Sequence, residues 1–79
     1  MLKNKIQMML NYKNKKQIDL VNVWEMSSRQ SLNNKMMNER FSLADLVVLC
    51  DYLDLSITIK DKKTGNDVVT FDKEDLSKK

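Results

Sequence analysis

The chain has 79 residues, 42% hydrophobic and 32% charged, with a net charge of +3, one glycine and no proline. That length supports one hydrophobic core, so a single domain is expected. Histidine is absent and Cys50 is the one cysteine, which excludes a histidine-based triad, an imidazole base, a histidine or cysteine-cluster metal site and an internal disulfide.

Leu2, Ile6, Met9 and Leu10 lie at i, i+4, i+7 and i+8, one apolar stripe that predicts a helix over residues 2–12. Asn14 with Gln17 three residues on reads as a capping box, opening a second helix over residues 15–24. Ile18, Val21 and Trp24, with Leu20, form its inner face. A break at Met26-Ser27-Ser28 precedes a third helix that runs to about Met37, capped by Ser27 (with Gln30 at N3) or by Ser28 (with Ser31). Its core positions are Leu32 and Met36; Arg29, Gln30, Ser31, Asn33, Asn34 and Lys35 make up the rest of its surface. Met36 and Met37 read as core or gap-filling residues.

Asn38-Glu39-Arg40 forms a loop. Ser42 then caps a fourth helix over residues 43–53, with Asp45 at N3 and Phe41 and Leu46 at the hydrophobic-staple positions. Leu43, Leu46, Val47, Cys50 and Leu53 give its apolar stripe; Cys50 reads as a small core residue, not a nucleophile. From Leu55 the apolar period changes from 3.6 to 2. Leu55, Ile57 and Ile59, a turn over residues 61–67, and Val69 and Phe71 predict a β-hairpin. Its register pairs Ile59 with Val69, Thr58 with Thr70 and Ile57 with Phe71, placing the four apolar residues on one face. Residues 72–79 are expected to form one helical turn and then fray. The expected core is Ile6, Leu10, Ile18, Val21, Trp24, Leu32, Leu46, Val47, Cys50 and Leu53.

Charge is divided unevenly. Residues 1–40 carry eight Lys/Arg and three Asp/Glu, a balance of +5, and residues 41–79 carry six and eight, a balance of −2. A polyanion would meet the basic half; a solvated lysine surface is the plainer reading. Amides crowd the outer side of the third helix, where Glu and Lys would be usual on a merely solvated face. Asn and Gln pair bidentately with adenine edges, and Arg with guanine. Twelve lysines against two arginines, with eight asparagines, point to an AT-rich genome. The lone thiol fits a reducing cytoplasm. No apolar run approaches the ~20 residues needed to cross a bilayer, and the lysine-broken N-terminus lacks a signal-peptide core. A cytoplasmic binding module is expected, not an enzyme, with no membrane association and no cofactor. Lys63-Thr64-Gly65 is a turn and not a phosphate loop.

Two motifs carry a family resemblance: Arg29-Gln30-Ser31-Leu32-Asn33-Asn34-Lys35-Met36 followed by Phe41-Ser42-Leu43-Ala44-Asp45-Leu46, and Gln17-Ile18-Asp19-Leu20-Val21 before them. Together they resemble the Cro and phage-repressor type of helix-turn-helix, the xenobiotic-response-element family, over roughly residues 2–55. The resemblance implies a mainly α domain in which four helices include a helix-turn-helix, followed here by a two-stranded antiparallel hairpin. It divides the single domain into a DNA-binding region (1–55), a hairpin (56–72) and a tail (73–79). Two departures stand out. The glycine usual between the family's second and third helices falls on Glu25 or Met26, and the stretch from Gln17 to Leu32 is one residue longer than usual. The hairpin lies outside the resemblance.

The resemblance implies that Arg29, Gln30 and Asn34 face base edges and that Ser28 and Ser31 lie near backbone or base. Gln17 would touch a phosphate at the start of the second helix, besides any part in the capping box. Lys35 belongs to the same DNA-facing set, and Asn38 and Arg40 follow the third helix where phosphates are met. Arg40 has a rival role in a surface ion pair with Glu39 or Asp45, and Lys13, Lys15 and Lys16 are generic electrostatic candidates. Trp24 is read as core over a stacking platform for single strands.

The implied activity is a sequence-specific regulator of transcription, repressor-like and encoded on a phage or mobile element, binding double-stranded DNA as a homodimer. The hairpin would then be a dimer seam together with the end of the fourth helix, a wing carrying Lys60, Lys62 and Lys63 to phosphate, or an intrachain element. The competing classes are an antitoxin-like protein-interaction module and an architectural DNA-binding protein without sequence preference.

Overall fold

The computed structural model describes residues 1–76, and within them the chain forms four α-helices and a C-terminal two-stranded antiparallel hairpin. The helices are α1 (Leu2–Tyr12), α2 (Leu20–Val23), α3 (Arg29–Asn38) and α4 (Leu43–Tyr52); the strands are β1 (Ile57–Lys60) and β2 (Asp67–Phe71). Three of the helices and both strands fall where periodicity places them. The tail makes one 3-10 turn, Lys73–Leu76; the expected fraying concerns residues 77–79, outside the described residues.

The core joins Ile6 and Leu10 of α1, Leu20 of α2, Leu32 and Met36 of α3, and Leu49 and Leu53 at the end of α4. Val21, Trp24 and Leu46, expected inside, are half-buried against it, as are Met26, Phe41 and Leu55. Val47 and Cys50 are buried on α4, which also touches the tail's 3-10 turn. Burial raises the pKa of the Cys50 thiol, so it stays protonated and inert.

The second helix corrects the sequence reading. Asn14 does not cap it: Asn14 follows α1 in the left-handed region, φ 58°. Gln17–Asp19 forms a 3-10 turn, and α2 is a single α-turn after it. The local cap comes from Asp19, whose Oδ2 accepts the Lys16 N–H at 3.3 Å, so Gln17 closes no capping box. A 3-10 turn takes three residues where an α-turn takes 3.6. That rephases the apolar positions, leaving Ile18 39% exposed and Leu20 fully buried. Leu49, absent from the expected stripe of α4, is also fully buried, and Leu43 is exposed.

All four helices end alike. Asn14, Glu25, Glu39 and Asp54 each take positive φ, 51–59°. In each case the next residue's N–H bonds a carbonyl five residues back: Lys15 to Leu10, Met26 to Val21, Arg40 to Lys35 and Leu55 to Cys50. These are Schellman closures made without glycine.

The hairpin has the expected register, Ile57 to Phe71, Thr58 to Thr70 and Ile59 to Val69. The threonine hydroxyls meet at 3.0 Å. Beyond Ile59 the register slips so that Lys60 opposes Asp67, leaving Val68 as a bulge, and Lys60 Nζ bonds Asp67 Oδ1 at 2.8 Å. In the turn, Asp61 Oδ1 accepts the N–H groups of Lys63 and Thr64, and Gly65 takes φ +79°. Ile57 and Phe71 are half-buried, whereas Ile59 and Val69 toward the tip are exposed.

Candidate nucleic-acid interface

The turn before α3 places its first residues. Trp24 ends α2, and Glu25 at φ 51° reverses the chain. Of Glu25 and Met26, it is Glu25 that takes positive φ. Ser28 is extended and caps α3: its Oγ accepts the Ser31 N–H at 3.1 Å. Ser31 Oγ lies 3.1 Å from Ser27 Oγ and accepts from Ser28 Oγ at 3.2 Å. The two serines expected near DNA thus define where α3 begins.

Leu32 and Met36 are fully buried and fix one side of α3 inward. Gln30, Asn33, Asn34 and Met37, at i, i+3, i+4 and i+7, are all exposed. That is one helical face, half a turn from the buried seam. Three of its four side chains are amides. Met37 is 73% exposed, which corrects its reading as a core residue. Asn33 and Met37 were missed as candidates; the same helical spacing, counted on the polar side of Leu32 and Met36, finds both. Arg29 is exposed on the first turn, as is Asn38 on the last. Arg40 is exposed after α3 and enters no ion pair among the described residues. Its rival partners are engaged elsewhere: Glu39 accepts the Lys3 N–H at 3.1 Å, and Asp45 pairs with Lys35.

Lys35 is engaged within the chain. Its Nζ is 2.8 Å from Asp45 Oδ2 and 5.3 Å from the centre of the Trp24 ring, with its side chain 21% exposed. Asp45 is held in turn. Its Oδ2 accepts the Ser42 N–H at 3.0 Å, and its own N–H donates to Ser42 Oγ, the expected capping box. Its backbone carbonyl accepts Trp24 Nε1–H at 2.9 Å. Partial burial pushes the Asp45 carboxyl up, but Lys35 and the Ser42 N–H outweigh it and hold the pKa below its ordinary value. Trp24 also stands 5.7 Å from Phe41, ring centre to ring centre. The indole is thus engaged by α3, α4 and the loop between them.

Toward the other end of the basic half, Gln17 Oε1 accepts from Gln7 Nε2 at 3.1 Å, tying the 3-10 turn to α1. Lys15 lies over the Tyr52 ring at 5.6 Å, and Tyr52 donates its hydroxyl to Asp19 Oδ2. Lys15 and Lys16 are both exposed. No group of acidic, cysteine or histidine side chains suited to a metal ion occurs among the described residues, and no described helix is long and apolar enough to cross a membrane. No family model, curated protein or solved structure matches the chain.

Proposed function

We propose that this protein is a sequence-specific, double-stranded-DNA-binding regulator of transcription, of the Cro-like helix-turn-helix kind, with α2 and α3 as the two helices and α3 in the major groove. The observation that carries the reading is the outer face of α3. Gln30, Asn33 and Asn34 stand exposed on one side of a helix whose other side is buried through Leu32 and Met36. Amides exposed along one face of a helix are suited to base edges in the major groove. Arg29 adds a donor fork for guanine, Asn38 and Arg40 lie exposed at and just after the end of the helix as backbone contacts, and the exposed Lys15 and Lys16 add electrostatic ones.

One such unit reads only a few base pairs, so the active species is a homodimer reading two half-sites about 34 Å apart. The hairpin is the proposed seam. Its strands form a two-stranded sheet with open edges, and Ile59 and Val69 are exposed on it.

Selection of binding sites from random duplexes tests the reading. The expected product is a two-fold symmetric motif. Enrichment of no sequence, with all duplexes retained alike, would leave an architectural protein; retention of none would favour the antitoxin-like protein-interaction module. Sedimentation showing only monomer at micromolar concentration, with and without DNA, would remove the dimer.

A further inference from the structure

We infer that Lys35 is a positioning residue for α3, holding the helix in the roll that presents Gln30 and Asn34 to bases, and that its charge is committed within the protein and not to a DNA phosphate. The inference rests on the DNA-binding reading above and assigns Lys35 a different part in it.

The geometry behind it is a tie between three elements. Two apolar residues, Leu32 and Met36, form the buried seam of α3. A helix held along one short seam still has freedom to roll about it. A bond placed off the seam removes that freedom. Lys35 is next to Met36 in sequence but points to one flank, where its ammonium meets the Asp45 carboxylate at 2.8 Å and the Trp24 ring at 5.3 Å. Neither receptor is loose. Asp45 sits in the capping box of α4, and Trp24 is fastened to the Asp45 carbonyl through Nε1. The residue that ends α2, the last turn of α3 and the first turn of α4 therefore converge on one ammonium group. Base-edge contacts need side chains placed to within about 10–20°, so loss of this tie falls on specificity.

The same pairing removes Lys35 from the electrostatic count. Non-specific affinity comes from cations that replace condensed counterions at phosphates. A lysine with its charge already met by Asp45, and largely out of solvent, releases none. Lys15, by contrast, is exposed and faces an aromatic ring, with no acidic partner among the described residues.

The test uses the full chain and two labelled duplexes, the selected site and a scrambled version, over a salt series. Lys35→Met keeps the stem and removes the charge; Lys35→Arg keeps both the charge and a group able to lie over the indole. Each variant is assayed well below its own melting midpoint. With Lys35→Met, the salt slope for scrambled DNA should stay at the wild-type value, while Lys15→Ala lowers it by about 0.9. The preference for the selected site over scrambled should fall about tenfold in Lys35→Met, the size of one lost base contact, and recover in Lys35→Arg. Asp45→Asn, which breaks the pair from the other side, should lower the preference as well, and serves if Lys35→Met does not fold. A drop of about 0.9 in slope for Lys35→Met with preference intact would make Lys35 a phosphate contact. Unchanged slope and unchanged preference would deny it either part. Wild-type protein that binds neither duplex would remove the DNA-binding reading itself, and this inference with it.

Discussion

The Glu39 carboxylate accepts the backbone N–H of Lys3 at 3.1 Å, so the residue that closes α3 also caps the first turn of α1. Met1, the residue preceding α1, makes no side-chain cap of its own. An anion there satisfies one of the free N–H groups and meets the positive end of the helix dipole. Glu39 does this from a left-handed backbone, φ 51°, which carries a steric cost that glycine lacks.

Glu25 has the same φ of 51° and no hydrogen bond or ion pair from its side chain among the described residues. The two positions should therefore respond differently to glycine. Glu25→Gly should stabilise the fold by about 0.5–1 kcal/mol, since it relieves the backbone and removes no bond. Glu39→Gly should gain less or lose, and Glu39→Ala should cost about 1 kcal/mol because the strain stays and the cap goes. Urea unfolding midpoints measure all three. Equal gains from Glu25→Gly and Glu39→Gly would mean that the bond to Lys3 contributes nothing.

Asp45 links stability to pH. Its folded pKa lies below the ordinary value of 3.8, so the folded state favours the carboxylate. The resulting stabilisation is fully present above that ordinary value and disappears as pH falls through the lower folded value. Asp45→Asn has no such dependence. The wild type should exceed Asp45→Asn in stability at pH 7, and the gap should narrow as pH drops below about 4. Urea unfolding of both proteins across that range reads the gap; one that stayed constant into acid would show that the carboxylate charge is not what matters.

Along α3, alanine at Arg29, Gln30, Asn33 or Asn34 should relax preference at one base position each, by roughly 1–3 kcal/mol. For the three amides, non-specific binding should hardly change, since none carries charge. Lys15→Ala and Lys16→Ala should weaken all sequences alike and flatten the salt dependence. Affinities for selected and scrambled duplexes separate the two patterns. Equal losses on both duplexes from the amide variants would deny direct readout by this helix.

The rephasing of the second helix has its own test. Leu20→Ala or Leu49→Ala should cost about 2–5 kcal/mol, because each empties a fully enclosed site. Ile18→Ala, at a position 39% exposed, should cost less than about 1.5 kcal/mol. Thermal or urea unfolding of the three variants decides it. A larger loss at Ile18 than at Leu20 would restore the continuous helix over residues 15–24.

The sequence by itself determined the elements whose signals are local. The extents of α1 and α4, the Ser42 and Asp45 capping box, and the alternation that pairs Ile57 with Phe71 all depend on residues close along the chain or on matched short periods. In α3, the buried pair Leu32 and Met36 was legible for the same reason, and it left Gln30 and Asn34 outward. Tertiary structure alone decided what depends on which helix faces meet. Leu20 is inside and Ile18 is not because the chain enters α2 through a 3-10 turn, and the apolar residues there suited a continuous helix equally well. Lys35 read as one more surface cation because its partners, Asp45 and Trp24, come from α4 and the end of α2. The Glu39 cap spans 36 residues. Periodicity shows which side of a helix is apolar, but a charged side chain's partner is set by the packing of whole helices, and that is a property of the assembled core.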